Sequence, residues 1–291
     1  MGKIRFAIWN ILGPTQKPSE NPKKIPKWQQ RVESILFDDA LDVDFVFLQE
    51  IPDPLRTKLK DKDVFKDPTK KKFYDWHSGT ANPEYFRGIL FFQKNRKSSL
   101  HFEKYKDPVN SIGQGYSIYD GSTEIFRFTG FWNVRQMQEK NAATLPLQDE
   151  PKDEKQNQDY LSLLKKFLNR VIPEASPCVI AGDTNVCISS QGAKKMTGNV
   201  CEGIRKDLEN FLSLHSCCLI DGKKEELNNL TYFRGNSGFR CDLLMASSCL
   251  IPHLTNLSVG FPENLKNCPV GSDHLPLFFS FNYADDSDNK D

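Results

Sequence analysis

No stretch of the sequence approaches the ~20 apolar residues of a membrane span, and the opening "MGKIRFAIWN" lacks the apolar centre of a signal peptide. Phe6 stands where a myristoylation signal carries Ser or Thr. An excess of either charge is also missing. The 39 Lys and Arg against 38 Asp and Glu leave a formal net charge of +1, so the surface as a whole is no trap for polyanions and any basic groove is local. The eight cysteines (Cys178, Cys187, Cys201, Cys217, Cys218, Cys241, Cys249 and Cys268) contain no CxxC pair and all fall in the C-terminal half. Several sit inside apolar runs such as "PCVIAGD" and "CCLID". That pattern favours free thiols over a disulfide framework, and with it a reducing compartment, cytoplasm or nucleus. No internal repeat is present.

What the chain does have is an ordinary globular composition, 38% hydrophobic and 26% charged over 291 residues, enough to bury a large core. Short strand-like runs recur: 4–11, 43–50, 88–93, 124–134, 178–186, 241–247 and 276–283. Several are apolar on both faces, as expected of strands covered on both sides. Three helical stripes fall between them. The first runs through Trp28, Val32, Ile35 and Leu36; the second through Leu161, Leu164, Phe167, Leu168 and Val171; the third, beginning near Gly203, through Ile204, Leu208, Phe211 and Leu212. Helices follow some strands while loops join others, which predicts an α+β chain with two packed sheets and helices outside. "QDEPKDEKQNQD" (148–159) reads as a hydrophilic surface loop, residues 1–284 as a single domain, and 285–291 as a disordered acidic tail.

The strand-like runs end in a recurring set of polar residues: Asn10 after "FAIW", Glu50 after "VFLQ", Asp183 and Asn185 around "GDTN". Asp242 opens "DLLMAS", and Asp273 with His274 precede "LPLFF". Side chains at the ends of different strands can converge on one point at a sheet edge. Taken singly, each also has a structural reading: a Gly-Asp turn, a solvated strand end at Glu50, a turn former at Asn10, an exposed histidine.

Taken in order, "FAIWNILG", "DFVFLQE", "IAGDTN", "RCDLLMAS" and "GSDHLPL" resemble the motifs of the endonuclease/exonuclease/phosphatase (DNase I-like) superfamily, over residues 4 to 282. The resemblance implies a four-layered α/β sandwich, two mixed β-sheets packed face to face with helices outside, and a divalent-metal site at one mouth. It implies Glu50 as the principal Mg2+ ligand (Mn2+ being the alternative ion), with Asn10 and Asp273 close to the metal. Asp183 would orient or deprotonate a water, Asn185 would hold that water or the phosphate, and His274, its ring held by Asp242, would contact the phosphate. These types suit phosphodiester cleavage, which needs a hard cation on oxygen ligands, a base, and a cationic donor for developing charge.

Two positions depart from the family's pattern. Leu12 stands two positions after Asn10, where many relatives have an acid, and "RFTGFWNVRQ" offers Phe131 or Trp132 where relatives place a His or Tyr on the phosphate. Asn133 or Arg135 would then substitute as phosphate donors, with Trp132 a stacking face for a base. Lys17, Lys23, Lys24 and Lys27, and the run Lys70–Lys72 among aromatics, lean toward a nucleic-acid substrate. The expected activity is thus a metal-dependent phosphoric ester hydrolase, a nuclease or a phosphodiesterase resembling the tyrosyl-DNA branch. The alternatives are a phosphoinositide or small-molecule phosphatase, and a catalytically weak relative acting as a binding module. Nothing in the sequence names a protein partner.

Overall fold

The computed structural model describes residues 2–11, 27–38, 41–49, 66–67, 72–77, 88–93, 99–104, 113–132, 153–173, 176–193, 196–220, 230–234, 236–261, 272 and 274–283. Two large sheets organise them. The first has the order β15 (Leu254–Val259), β16 (Leu277–Tyr283), β1 (Gly2–Asn10), β2 (Phe45–Gln49), β5 (Gly88–Gln93), β4 (Lys72–His77) and β3 (Lys66–Asp67). The second runs β11 (Cys217–Ile220), β14 (Asp242–Ser247), β9 (Cys178–Asp183), β8 (Thr123–Trp132), β7 (Gly113–Asp120) and β6 (Leu100–Lys104). Both are mixed: β1 and β2 are parallel, as are β8 and β9, and the other pairs are antiparallel. A small third sheet joins β10 (Ser190–Gln191), β13 (Ser237–Phe239) and β12 (Tyr232–Arg234).

Alternation along each strand decides what faces what. In β1 the residues Ile4, Phe6 and Ile8 enter the central core, while Ala7 and Trp9 belong to a second cluster. In β2, Phe45 and Phe47 take the central row and Val46 and Leu48 the other. From the opposite sheet, Phe126, Phe128, Val179, Ala181, Leu244 and Ala246 complete the central core. Phe6 is its hinge-pin. Its ring centroid lies 4.9 Å from Phe45, 5.0 Å from Phe279 and 5.2 Å from Phe128 across the interface. Burying each such ring is worth about 2–3 kcal/mol.

The outer faces are covered by helices. α1 (Lys27–Phe37) lays Val32, Ile35 and Leu36 on the first sheet. α2 (Glu154–Val171) and α3 (Gly198–Leu214) lay Leu161, Leu164, Phe167, Leu168, Ile204, Leu208 and Leu212 on the second. The result is the expected four-layered sandwich, helix over sheet over sheet over helix.

Several elements differ from the expectation. Half of the supposed loop 148–159 is helix: α2 starts at Glu154, with Asp153 as N-cap accepting from the Gln156 N–H at 3.0 Å. Of its first turn, Glu154 and Lys155 are exposed and the buried member, Asn157, is polar, so no apolar stripe marks the start. α3 starts at Gly198, five residues before the stripe, because Gly198 and Asn199 are weak helix formers that give no signal. β7, "GQGYSIYD", is an interior strand of its sheet despite two glycines. The seven cysteines among the described residues carry free thiols, as expected, and Cys268 lies outside those residues. No helix among the described residues is long and apolar enough to cross a membrane.

Candidate active site

The same alternation that builds the core also delivers the site. Asn10 continues the row of Ile4, Phe6 and Ile8 at the end of β1, and Gln49 continues Phe45 and Phe47 at the end of β2. On the facing sheet, Asp183 continues Val179 and Ala181, and Asp242 opens the row of Leu244 and Ala246. The ladders bring these ends level, pairing Asn10 with Gln49 and Asp183 with Asp242. Four polar side chains therefore cap the apolar interior at one mouth of the sandwich, two from each sheet.

Asp183 is the meeting point. Its Oδ2 accepts a hydrogen bond from Asn10 Nδ2 at 3.1 Å. Its Oδ1 accepts from both the backbone N–H (2.9 Å) and the side-chain Nδ2 (2.7 Å) of Asn185. Asn185 has φ of 54°, a left-handed turn that Asn tolerates better than most residues and that folds its amide back onto the carboxylate. Asp183 is 2% exposed. Burial, the largest influence, pushes its carboxyl up to about 6; Asp242 adds to the rise, while His274 and the Asn185 hydrogen bonds oppose it.

His274 is held on four sides. Its Nδ1 donates to Asp242 Oδ2 at 2.9 Å, since a carboxylate can only accept. Its backbone N–H donates to Ser272 Oγ (3.1 Å), whose own hydroxyl donates to the Asn10 carbonyl (3.0 Å). Its carbonyl accepts the indole N–H of Trp9 at 2.9 Å. Tyr232 lies against the ring at 4.8 Å. Asp242 is fixed in turn by Thr231, whose Oγ1 accepts its backbone N–H at 3.0 Å.

Of the residues expected from sequence, the structure brings Asn10, Asp183, Asn185, Asp242 and His274 together. Glu50, Asp273, Asn133 and Arg135 lie outside the described residues, as do Lys17, Lys23, Lys24, Lys70 and Lys71 and the side chains of Trp132, Lys27 and Lys72. Phe131 is corrected: it is 1% exposed and packs on Phe167 of α2 at 5.3 Å, in the helix-side core. Its strand row points it away from the mouth, so it does not stand in for a phosphate-binding His or Tyr. Gln49, Thr231 and Tyr232 were not anticipated. Gln49 was findable, being the polar member of an otherwise apolar inward row.

The donor chemistry suits a hard divalent cation. The described groups at the mouth are the Asp183 carboxylate and the carboxamides of Asn10, Gln49 and Asn185, plus the Asp242–His274 pair, with no thiol among them, because the Cys241 thiol is buried in a separate cluster with Cys187 and Cys201. The buried Oδ1 of Asn185 has no hydrogen-bond partner among the described residues, an acceptor ready for a water or another donor. Among the described residues no three His, Cys, Asp or Glu side chains form a cage for a metal ion.

Comparison with solved structures fixes the fold. The AP endonuclease LMAP from Leishmania major matches with a TM-score of 0.57 and 13% identity over 97% of this chain and 88% of that one. The endonuclease domain of TRAS1, a telomere-specific non-LTR retrotransposon, matches at 0.55 and 12% over 97% and 99%. An AP endonuclease from Archaeoglobus fulgidus matches at 0.53 and 18% over 96% and 100%. This chain has the DNase I-like endonuclease/exonuclease/phosphatase fold. No family model matches the sequence, and no curated protein matches it. The DNase I-like assignment at so low an identity rests on the layers and their order, and the mouth described above is formed by strand ends of both DNase I-like sheets.

Proposed function

We propose that this chain is a Mg2+-dependent phosphodiesterase acting on nucleic acid, and that Asp183 is its general base. The observation that carries this reading is the buried cluster of Asp183 with Asn10, Asn185 and the Asp242–His274 pair at the mouth of a DNase I-like fold. The three structural neighbours named above, all endonucleases, support the substrate class.

Each residue has a part that its surroundings suit. Asp183, at about 6, is ionised at neutral pH yet basic enough to take a proton from a water. Asn185 turns its Nδ2 to Asp183 and keeps Oδ1 for the water's second hydrogen. His274, with Nδ1–H committed to Asp242, presents Nε2 to a phosphoryl oxygen, and the carboxylate favours the imidazolium as negative charge develops. Asn10 holds Asp183 in place. A Mg2+ ion held by Glu50, Asn10 and Asp273 would supply neutralisation of that phosphoryl oxygen. Asn133, Arg135 and Trp132 would contact the substrate. On this reading residues 1–284 form one catalytic domain with 285–291 an acidic tail, in the cytoplasm or nucleus.

With Phe131 in the helix-side core, Trp132 is left at the sequence position where the family's pattern has a phosphate-binding His or Tyr, and this favours a second reading, a weak relative that binds rather than cleaves. Hydrolysis of a panel decides: single- and double-stranded DNA, RNA, an abasic duplex, a 5′-tyrosyl oligonucleotide and an inositol phosphate, with Mg2+ and with EDTA. Cleavage of a nucleic-acid member is expected, abolished by EDTA and reduced about 10²–10⁴-fold in Asp183→Asn. Turnover of the inositol phosphate alone would move the substrate class. No turnover on any member would leave the binding reading.

A further inference from the structure

Gln49 is a fully buried polar side chain to which the mechanism above gives no part. It stands in a row where Phe45 and Phe47 precede it, a place where Leu would satisfy packing alone. Its carboxamide crosses from the first sheet to the second. Nε2 donates to the Phe131 carbonyl at 2.7 Å and Oε1 accepts the Asp183 N–H at 3.3 Å. Those two groups sit at the ends of β8 and β9, where Phe131 pairs with Gly182 and Trp132 with Asp183. Room for the amide comes from Gly182, at φ 148°: a Cβ there would lie 2.3 Å from Gln49 Nε2 and 2.0 Å from the Phe131 carbonyl oxygen.

Asn10 is the ladder partner of Gln49, and the Ile11 N–H donates to the Gln49 carbonyl at 3.1 Å. Asp183 is therefore tied to the first sheet at two points by two adjacent strand ends, its N–H by Gln49 and its Oδ2 by Asn10. Asn10 and His274 belong to the first sheet's side of the mouth, whereas Asp183 belongs to the second. A carboxylate that must meet groups carried by the other sheet needs a link between the sheets at its own residue.

We propose that Gln49 is a positioning residue: its carboxamide fixes the backbone of Asp183 against the first sheet and so sets the carboxylate relative to Asn10 and His274. This rests on the phosphodiesterase reading for its kinetic consequence, though not for the contact itself. Gln49→Met keeps the length and removes both hydrogen bonds. In the full chain, with bis(p-nitrophenyl) phosphate and Mg2+ as the probe, kcat is expected to fall about 10–100-fold with KM unchanged, as for a small misplacement of a reacting group. In parallel, hydrogen exchange followed by amide NMR should show Asp183 losing protection while Ile180 and Ala181, deeper in β9, keep theirs.

A folded Gln49→Met protein with parental kcat and a protected Asp183 amide overturns the proposal, as does a lowered Tm with unchanged kcat per folded molecule. If Asp183→Asn is inactive in that case, the phosphodiesterase reading still stands. If the parent itself turns over nothing, that reading falls, and the exchange result alone decides: protection lost at Asp183 sustains the positioning role, protection kept removes it. Should Gln49→Met fail to fold, Gln49→Asn takes its place. One methylene shorter, it cannot reach both strands, and the same expectations apply.

Discussion

At Asp183 the fold works against ionisation and the neighbours work for it. Burial raises the carboxyl and Asp242 raises it further, while His274 and two bonds from Asn185 lower it, and the balance stands at about 6. A base has to be unprotonated, so the sign follows directly: kcat should be level above about pH 7 and fall about tenfold per unit below about 6. A profile taken with saturating Mg2+ checks it. An acid limb near 4, the range of an ordinary aspartate, would mean that Asp183 is not the group being titrated. The identity of this residue was legible in "IAGDTN", where a carboxylate follows an apolar strand. Its environment was not legible. It depends on Asn10 and Gln49, 173 and 134 residues away in sequence.

Elements carry the next level of organisation, and α2 shows how a polar residue can be misread. Its opening "EKQNQD" is charged enough to pass for loop, yet Asn157 is 0% exposed and forms two hydrogen bonds to one residue of the segment that follows Asp183. Its Oδ1 accepts the Cys187 N–H and its Nδ2 donates to the Cys187 carbonyl, both at 2.8 Å. The helix thus completes the hydrogen bonding of an irregular buried segment that has no strand partner at that residue. Asn157→Leu would strand both backbone groups in the apolar interior, at about 1–3 kcal/mol each. A fall of this size in the stability from urea unfolding is expected, larger than the ~1 kcal/mol for Asp153→Ala at the exposed N-cap of the same helix. If both changes cost the same small amount, Asn157 is no clamp. Periodicity alone revealed the apolar stripe of α2. A single buried amide breaks no period, which is why Asn157 was invisible while Leu161, Leu164 and Phe167 were plain.

At the scale of the molecule, the site exists only because two sheets meet at a fixed distance. Neither sheet carries it alone: Asn10 and Gln49 come from one, Asp183, Asn185 and Asp242 from the other. The spacing near the mouth is set by a close approach in which the bare Gly130 of β8 faces the Phe47 ring of β2. An added Cβ would lie 2.3 Å from that ring. Gly130→Ala must therefore push the sheets apart or displace Phe47, the overpacking that costs about 1–3 kcal/mol in a well-filled core. Because Gln49 is two residues beyond Phe47 and Asp183 pairs with Trp132, two residues beyond Gly130 at the end of β8, the same displacement lengthens the Gln49 and Asn10 bonds to Asp183. Turnover per folded molecule should fall together with Tm. Gly203→Ala gives the contrast. That glycine is exposed on α3 with nothing within 4 Å of the new methyl, so the change should raise stability by about 0.5–1 kcal/mol and leave kcat alone. Loss of Tm without loss of kcat in Gly130→Ala would mean that the mouth tolerates a change in sheet spacing, and that the alignment of Asp183 is set within its own sheet.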